Sequence, residues 1–194
     1  MGSLRTPRDR WIEAGLAALA EGGAAAVRIE ALAKALGVTK GGFYGYFPDR
    51  SALLREMLDT WERESVDDVL RQIEQAGGDL LDQARLAGQL TFSSERLFPI
   101  DLAVRDWARR DPVVAERLRR VDNRRMQLLR DAIGTVCSDP AEVEARSLLA
   151  FALAIATHLI AVDHPGSTRA EVNTRASALL LNRPAGWASG PPQA

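Results

Sequence analysis

The sequence predicts an all-α fold: an N-terminal three-helix unit with a helix-turn-helix, joined to a larger helical domain. Three observations carry this expectation. Strand-type alternation is absent. Ala and Leu dominate and recur in stripes at three- and four-residue spacing. Pro, Gly, Thr and Asp punctuate the starts and stops of these stripes.

Taken in order, Thr6-Pro7-Arg8-Asp9 reads as a hydroxyl N-cap, a proline at the first helical position and an acid in the first turn. Ile12, Leu16 and Leu19 follow at helical spacing until Gly22-Gly23 stops the run. A second helix places Ile29, Leu32, Ala33 and Leu36 on one face and ends at Gly37. Thr39 caps a third helix, which runs to Phe47 and is broken by Pro48. Asp49 caps a fourth, whose stripe of Leu54, Met57, Leu58, Trp61, Val66, Val69, Leu70 and Ile73 continues to Gly77-Gly78. Further helices are expected over 79–92, 99–109, 112–133, 140–161 and 169–182. Asp111-Pro112 and Asp139-Pro140 are cap-then-first-position pairs, and Thr168 with Glu171 forms a capping box. The expected domains are 1–52 for the helix-turn-helix and 53–183 for the larger helical part, with a disordered Pro- and Gly-rich tail over 184–194.

Composition narrows the function. The 194 residues are 46% apolar and 26% charged with a net charge of −1, which excludes both a disordered chain and a globally basic nucleic-acid coat. A DNA-binding surface must therefore be local. Residues 1–50 hold seven Lys/Arg against five Asp/Glu, and the remainder eighteen against twenty-one, so any positive end is N-terminal. The single Cys137 excludes a disulfide framework and a multi-cysteine zinc site. The longest apolar stretch, Leu148–Val162, has 15 residues, short of the roughly 20 that cross a bilayer. No apolar leader follows Met1–Arg5, so the expectation is a cytoplasmic protein with no membrane partner. Phosphate-loop, dinucleotide and His-Glu-x-x-His motifs are missing, and the two histidines, His158 and His164, form no dyad with Cys137. No enzyme, cofactor or metal is expected.

The segment 28–47 carries the functional signal. It reads as helix, glycine turn, helix: Gly37 supplies the left-handed turn, Val38 plugs the angle, and Thr39 caps the second helix with its amide end outward, where phosphate can bind. Lys40 adds charge. Phe43 and Phe47, one turn apart, can anchor the helix, leaving Tyr44 and Tyr46 as polar-tipped aromatics within reach of a phosphate. Gly41, Gly42 and Gly45 together cost roughly 3 kcal/mol of helix propensity relative to alanine. Close packing accounts for such a composition, either to DNA or to the first helix. The first helix is the expected neighbour for Gly41, and Gly42 leaves both readings open.

The pattern Leu32-Ala33, Leu36-Gly37-Val38-Thr39-Lys40-Gly41, Phe43-Tyr44-x-Tyr46-Phe47 and Arg50-Ser51-x-Leu53-Leu54 resembles the TetR family of transcriptional regulators across residues 6–60. The resemblance implies an all-helical homodimer that inserts each third helix into a major groove of double-stranded DNA and responds to a small-molecule effector. Carried over by position, it implies DNA contacts from Thr39, Lys40, Gly42 and Tyr44, with phosphate contacts from Tyr46 and Arg50. A surface pair between Arg50 and Glu13 or another acid is the plainer alternative for that arginine. Two positions depart from the family pattern. Arg28 stands where a capping Thr or Ser is usual, losing a cap and gaining a charge that can reach phosphate. Gly45 stands where the family is often bulky.

Beyond residue 53, Leu148–Val162 is apolar on every helical face and predicts burial against a second copy or around a ligand. Trp61, Phe92, Trp107, Met126 and His158 are candidate pocket residues, with ordinary core packing as the alternative for each. The reading is a ligand-responsive repressor that binds a palindromic operator as a homodimer. The alternative is a helical small-molecule-binding protein with a vestigial helix-turn-helix.

Overall fold

The computed structural model describes residues 7–181. Among them the ordered elements are ten α-helices and a single 3-10 turn at Ala24–Ala26. They are α1 (Arg8–Gly22), α2 (Ile29–Ala35), α3 (Lys40–Phe43), α4 (Arg50–Ser65), α5 (Asp67–Ala76), α6 (Leu80–Phe92), α7 (Leu97–Ala108), α8 (Pro112–Gly134), α9 (Pro140–Leu159) and α10 (Arg169–Leu181). No strand occurs among the described residues. Thr6 and the tail from Pro184, for which a cap and disorder were expected, lie outside them.

The described residues fall into two compact units, one running to Gln75 and taking in Gln89–Asp122, the other comprising Ala76–Gly88 and the residues from Asn123 onward. In the first, α1 packs on α4 and α7, and α4 on α7. Its core is Trp11, Leu16, Leu19, Val27, Phe43, Phe47, Leu53, Met57, Trp61 and Val104, all at most 1% exposed. A glycine the sequence reading passed over makes the α1–α4 contact possible. A Cβ on the buried Gly15 would stand 2.6 Å from Met57 Sδ. Side chains reinforce the packing: Arg96 bridges Glu13 and Glu64 at 2.8 and 2.6 Å, and Arg117 and Arg120 of α8 hold Glu62 of α4 at 3.1 and 3.0 Å.

In the second unit, α9 packs on α10 and Arg130 pairs with Glu144 at 2.6 Å. Arg169 donates to the Thr157 and Ile160 carbonyls at 2.6 and 2.8 Å, filling acceptors left open at the end of α9. Phe151 and Ser147 are buried, but Leu148, Leu149, Leu159, Ile160, Val162 and Leu179 are exposed, Leu179 at 78%.

Local chemistry explains most helix ends. Asp49 accepts from the Ala52 N–H at 2.8 Å, Asp111 from Val113 at 3.0 Å and Asp139 from Ala141 at 3.0 Å. The capping box forms in both directions, Thr168 N–H to Glu171 at 2.7 Å and Glu171 N–H to Thr168 Oγ1 at 3.2 Å. Ends of α6, α8 and α9 shift by one or two residues, and three other boundaries also differ from expectation. Pro7 occupies the N-cap of α1, not the first helical position. The long fourth helix is two, broken at Val66 (φ −125°, ψ −67°) although its apolar stripe continues across the break. Helix α7 begins at Leu97, because Ser94 Oγ accepts the Leu97 N–H at 2.9 Å; Pro99 is tolerated in the first turn, where its missing N–H would have had no helical partner.

Candidate nucleic-acid interface

The turn between α2 and α3 is built from backbone bonds. Gly37 sits at φ +67°, its N–H donates to Lys34 O at 3.1 Å, and the Val38 N–H donates to Ala33 O at 3.0 Å. These two bonds close α2 in a Schellman motif that a left-handed residue at position 37 makes possible. Half-buried Val38 packs against the core, as the sequence predicts for the plug residue.

Aromatic rings fix the orientation of α3. Phe43 is fully buried, edge-on to Trp11 at 5.4 Å and stacked with Phe47 at 5.3 Å. With that side pinned, Thr39, Lys40, Gly41 and Tyr44 are exposed, Tyr44 at 52%, while Gly42 and Tyr46 are half-buried and Tyr46 packs on the core. Arg28 is exposed at the N-cap of α2 and makes no side-chain cap bond, as its departure from a capping residue predicts.

Three local expectations are corrected. Helix α3 is one turn, Lys40–Phe43, not a helix to Phe47; Tyr46 and Phe47 N–H groups both return to Phe43 O, closing it as a turn. A chain with glycine at 41, 42 and 45 lacks the propensity to propagate further. Thr39 occupies the N-cap, but its side chain makes no cap bond, so the hydroxyl is not consumed there. One turn also sums few peptide dipoles, which leaves phosphate attraction mainly to side chains. Nor does α1 press on Gly41. A Cβ at Gly41 would meet only Thr39 Oγ1, at 3.8 Å, and one at Gly42 would meet nothing within 4 Å.

Charge is arranged around this turn. Lys40 Nζ donates to Glu30 Oε1, joining the first turns of α2 and α3. The hydrogen bond from Lys40 holds the Glu30 carboxyl below the usual carboxylate range, with Arg28 adding to the effect, and the same bond raises the Lys40 ammonium above its ordinary value. Glu30 was not foreseen as part of the site; its place in the first turn of α2 was the available signal. Arg50 is half-buried and turned toward the protein backbone. Its Nε donates to Val27 O at 2.6 Å and its Nη2 to Ala24 O. Glu13, the alternative partner for Arg50, pairs with Arg96 instead. Arg8 lies 5.0 Å over the Phe47 ring and pairs with Glu56 at 2.6 Å.

The candidate pocket residues are not brought into one unit. Trp61, fully buried, Phe92, edge-on to Phe98 at 6.0 Å, and half-buried Trp107 lie in the first. Buried Met126 and exposed His158 lie in the second. Cys137 is a free thiol. Among the described residues no group of three or more His, Cys, Asp or Glu is placed to hold a metal, and no helix is long and apolar enough to cross a membrane.

Comparison with known proteins agrees with this geometry. Residues 12–57 match the bacterial regulatory proteins of the tetR family, a span that holds the helix-turn-helix and its packing on α1 and α4. No curated protein matches the sequence. A transcriptional regulator from Saccharomonospora viridis, solved in complex with choline, superposes with a TM-score of 0.72 at 16% identity, over 89% of this chain and 94% of that one. A TetR-family regulator from Bordetella parapertussis gives 0.62 at 20% identity over 94% and 98%. A ketosteroid transcriptional regulator of Mycobacterium tuberculosis gives 0.63 at 16% over 93% and 95%. The chain thus carries a tetR-family DNA-binding domain at its N-terminal end and, beyond it, continues in the all-helical fold of that family's regulators.

Proposed function

We propose that this chain is a ligand-responsive repressor that binds a palindromic operator as a homodimer in the cytoplasm. Residues 1–52 read the DNA, and residues 53–183 hold the effector and the second subunit. The observation that carries the reading is the two-sided α3 segment, with Phe43 and Phe47 locked into the core and Thr39, Lys40 and Tyr44 facing outward. Such a segment spends its aromatic side on its own orientation and offers the other side to a partner. Thr39 and Lys40 reach base edges, Gly42 lets the backbone approach the groove, and Arg28, Tyr44 and Tyr46 contact the backbone phosphates.

Exposed Leu148, Leu149, Leu159, Ile160, Val162 and Leu179 support a second copy, since removing apolar side chains of this size from water into a helical bundle lowers the free energy. A small organic effector acts by favouring a conformation of α4 in which the two readers no longer match one duplex. Its binding residues are sought among Trp61, Phe92 and Trp107 of the first unit and Met126 and His158 of the second. One structural neighbour was solved in complex with choline and another is a ketosteroid transcriptional regulator, which supports a small organic effector without selecting one for this chain.

Selection from random duplexes, followed by footprinting on the duplex obtained, tests the reading. Two protected half-sites with centres about 34–36 Å apart, or a multiple of that spacing, are expected. Replacing Lys40 with alanine should weaken binding. Absence of any sequence preference at moderate salt would favour the alternative, a helical small-molecule-binding protein with a vestigial motif.

A further inference from the structure

The guanidinium of Arg50 is committed to backbone. It leaves the first turn of α4 and donates through Nε to Val27 O at 2.6 Å and through Nη2 to Ala24 O. Both acceptors lie in the segment that feeds α2, 23 and 26 residues earlier in the chain. Val27 is fully buried, so this segment is a fixed part of the core surface. Helix α2 packs on α3, and Lys40 of α3 donates to Glu30 of α2, so a hold on the entry to α2 is also a hold on α3. Helix α4 in turn is gripped by α1, α7 and the Arg117 and Arg120 side chains of α8.

We propose that Arg50 is a positioning residue for DNA reading: its two-pronged donation to the Val27 and Ala24 carbonyls ties the α2–α3 reader to α4, so that the reader follows α4. The inference rests on the DNA-binding reading above and replaces a direct phosphate contact by Arg50 with an action through the reader's backbone. Lysine cannot substitute for it. A single ammonium point lacks the planar fork that reaches two carbonyls at once, although it keeps the charge a phosphate would feel.

That difference supplies the test. Arg50→Lys and Arg50→Met are measured, beside the parent protein, against a duplex selected from random sequence and against an unrelated duplex, over a range of salt. The proposal expects both variants to lose about tenfold in affinity for the selected duplex, the scale of a lost charge-assisted hydrogen bond. It expects affinity for the unrelated duplex, and the salt slope, to stay unchanged, because no phosphate contact is lost. A purely stabilising role would lower the melting temperature and leave the ratio of the two affinities in place. An Arg50→Lys protein with full affinity, or an Arg50→Met protein that weakens on both duplexes with a salt slope smaller by about one, would make Arg50 a phosphate contact and overturn the proposal.

Amide hydrogen exchange gives a reading that needs no DNA. Faster exchange in both variants confined to residues 24–37, with α4 and α7 still protected, supports the tie; unchanged exchange there overturns it. If the parent protein shows no sequence preference, the DNA-binding reading fails, and with it the role in DNA reading, while the exchange data still decide whether the tie exists.

Discussion

Replacing Gly42 with alanine separates the needs of folding from those of DNA reading. Nothing lies within 4 Å of a Cβ built at Gly42, and its φ is outside the left-handed region, so alanine fits without displacing a neighbour. Alanine exceeds glycine in helix propensity by about 0.8–1.0 kcal/mol in a helix interior, which is an upper bound for a one-turn helix. Gly41, whose Cβ would meet only Thr39 Oγ1 at 3.8 Å, adds the same again. The double variant should therefore be more stable by up to about 2 kcal/mol. In a chain of this length each kcal/mol shifts the melting temperature by about 2–4 °C, an increase that far-ultraviolet circular dichroism resolves. The same variant should bind its selected duplex at least about tenfold more weakly, because each added methyl stands where the groove wall must approach the backbone. A lower melting temperature would show that α3 needs these glycines for its own packing. A higher one with undiminished DNA affinity would show that the backbone at 41–42 does not lie against DNA. Either result refutes the argument.

Further outcomes follow from the same geometry. Gly37→Ala puts a side chain at φ +67° and should cost about 1–2 kcal/mol in urea denaturation, with DNA affinity falling as the turn distorts. Phe43→Ala empties the space between Trp11 and Phe47 and should cost about 3–5 kcal/mol, read from the denaturation midpoint. For the Glu30–Lys40 pair, the carboxyl is depressed, so its contribution is present above its unfolded value and lost as pH falls through the lower folded one. The ammonium is raised, so its contribution is present below its unfolded value and lost as pH rises through the higher folded one. The pair therefore persists across the neutral range. Titration by nuclear magnetic resonance should find the Glu30 midpoint below the ordinary carboxylate value and restored toward it in Lys40→Met. In Glu30→Gln, Lys40 is released, and affinity for unrelated duplexes should rise with a steeper salt slope.

Features set by neighbours in the chain were legible in the sequence. The caps at Asp49, Asp111 and Asp139, the capping box at Thr168 and the left-handed Gly37 each involve residues within four positions, and each formed as read. The shortness of α3 is also foreshadowed, since Gly41, Gly42 and Gly45 burden its helix propensity. The break at Val66 was hidden because Leu54 to Ile73 keeps helical spacing on both sides of it. The backbone bonds of Arg50 are illegible for a different reason. The partners are backbone carbonyls, which carry no residue identity, and only folding brings them within reach. Gly15 gave the usual sign of a close contact, an isolated glycine on the apolar face of a helix, but Met57 as its neighbour required the crossing of α1 and α4.

The interruption at Val66 also limits how force can travel. A continuous rod from residue 50 to 76 would carry axial thrust or torsion from its far end straight to Arg50. Severed at Val66, α4 is a short lever, with α1 and α7 packed along it and the head of α8 paired to its Glu62.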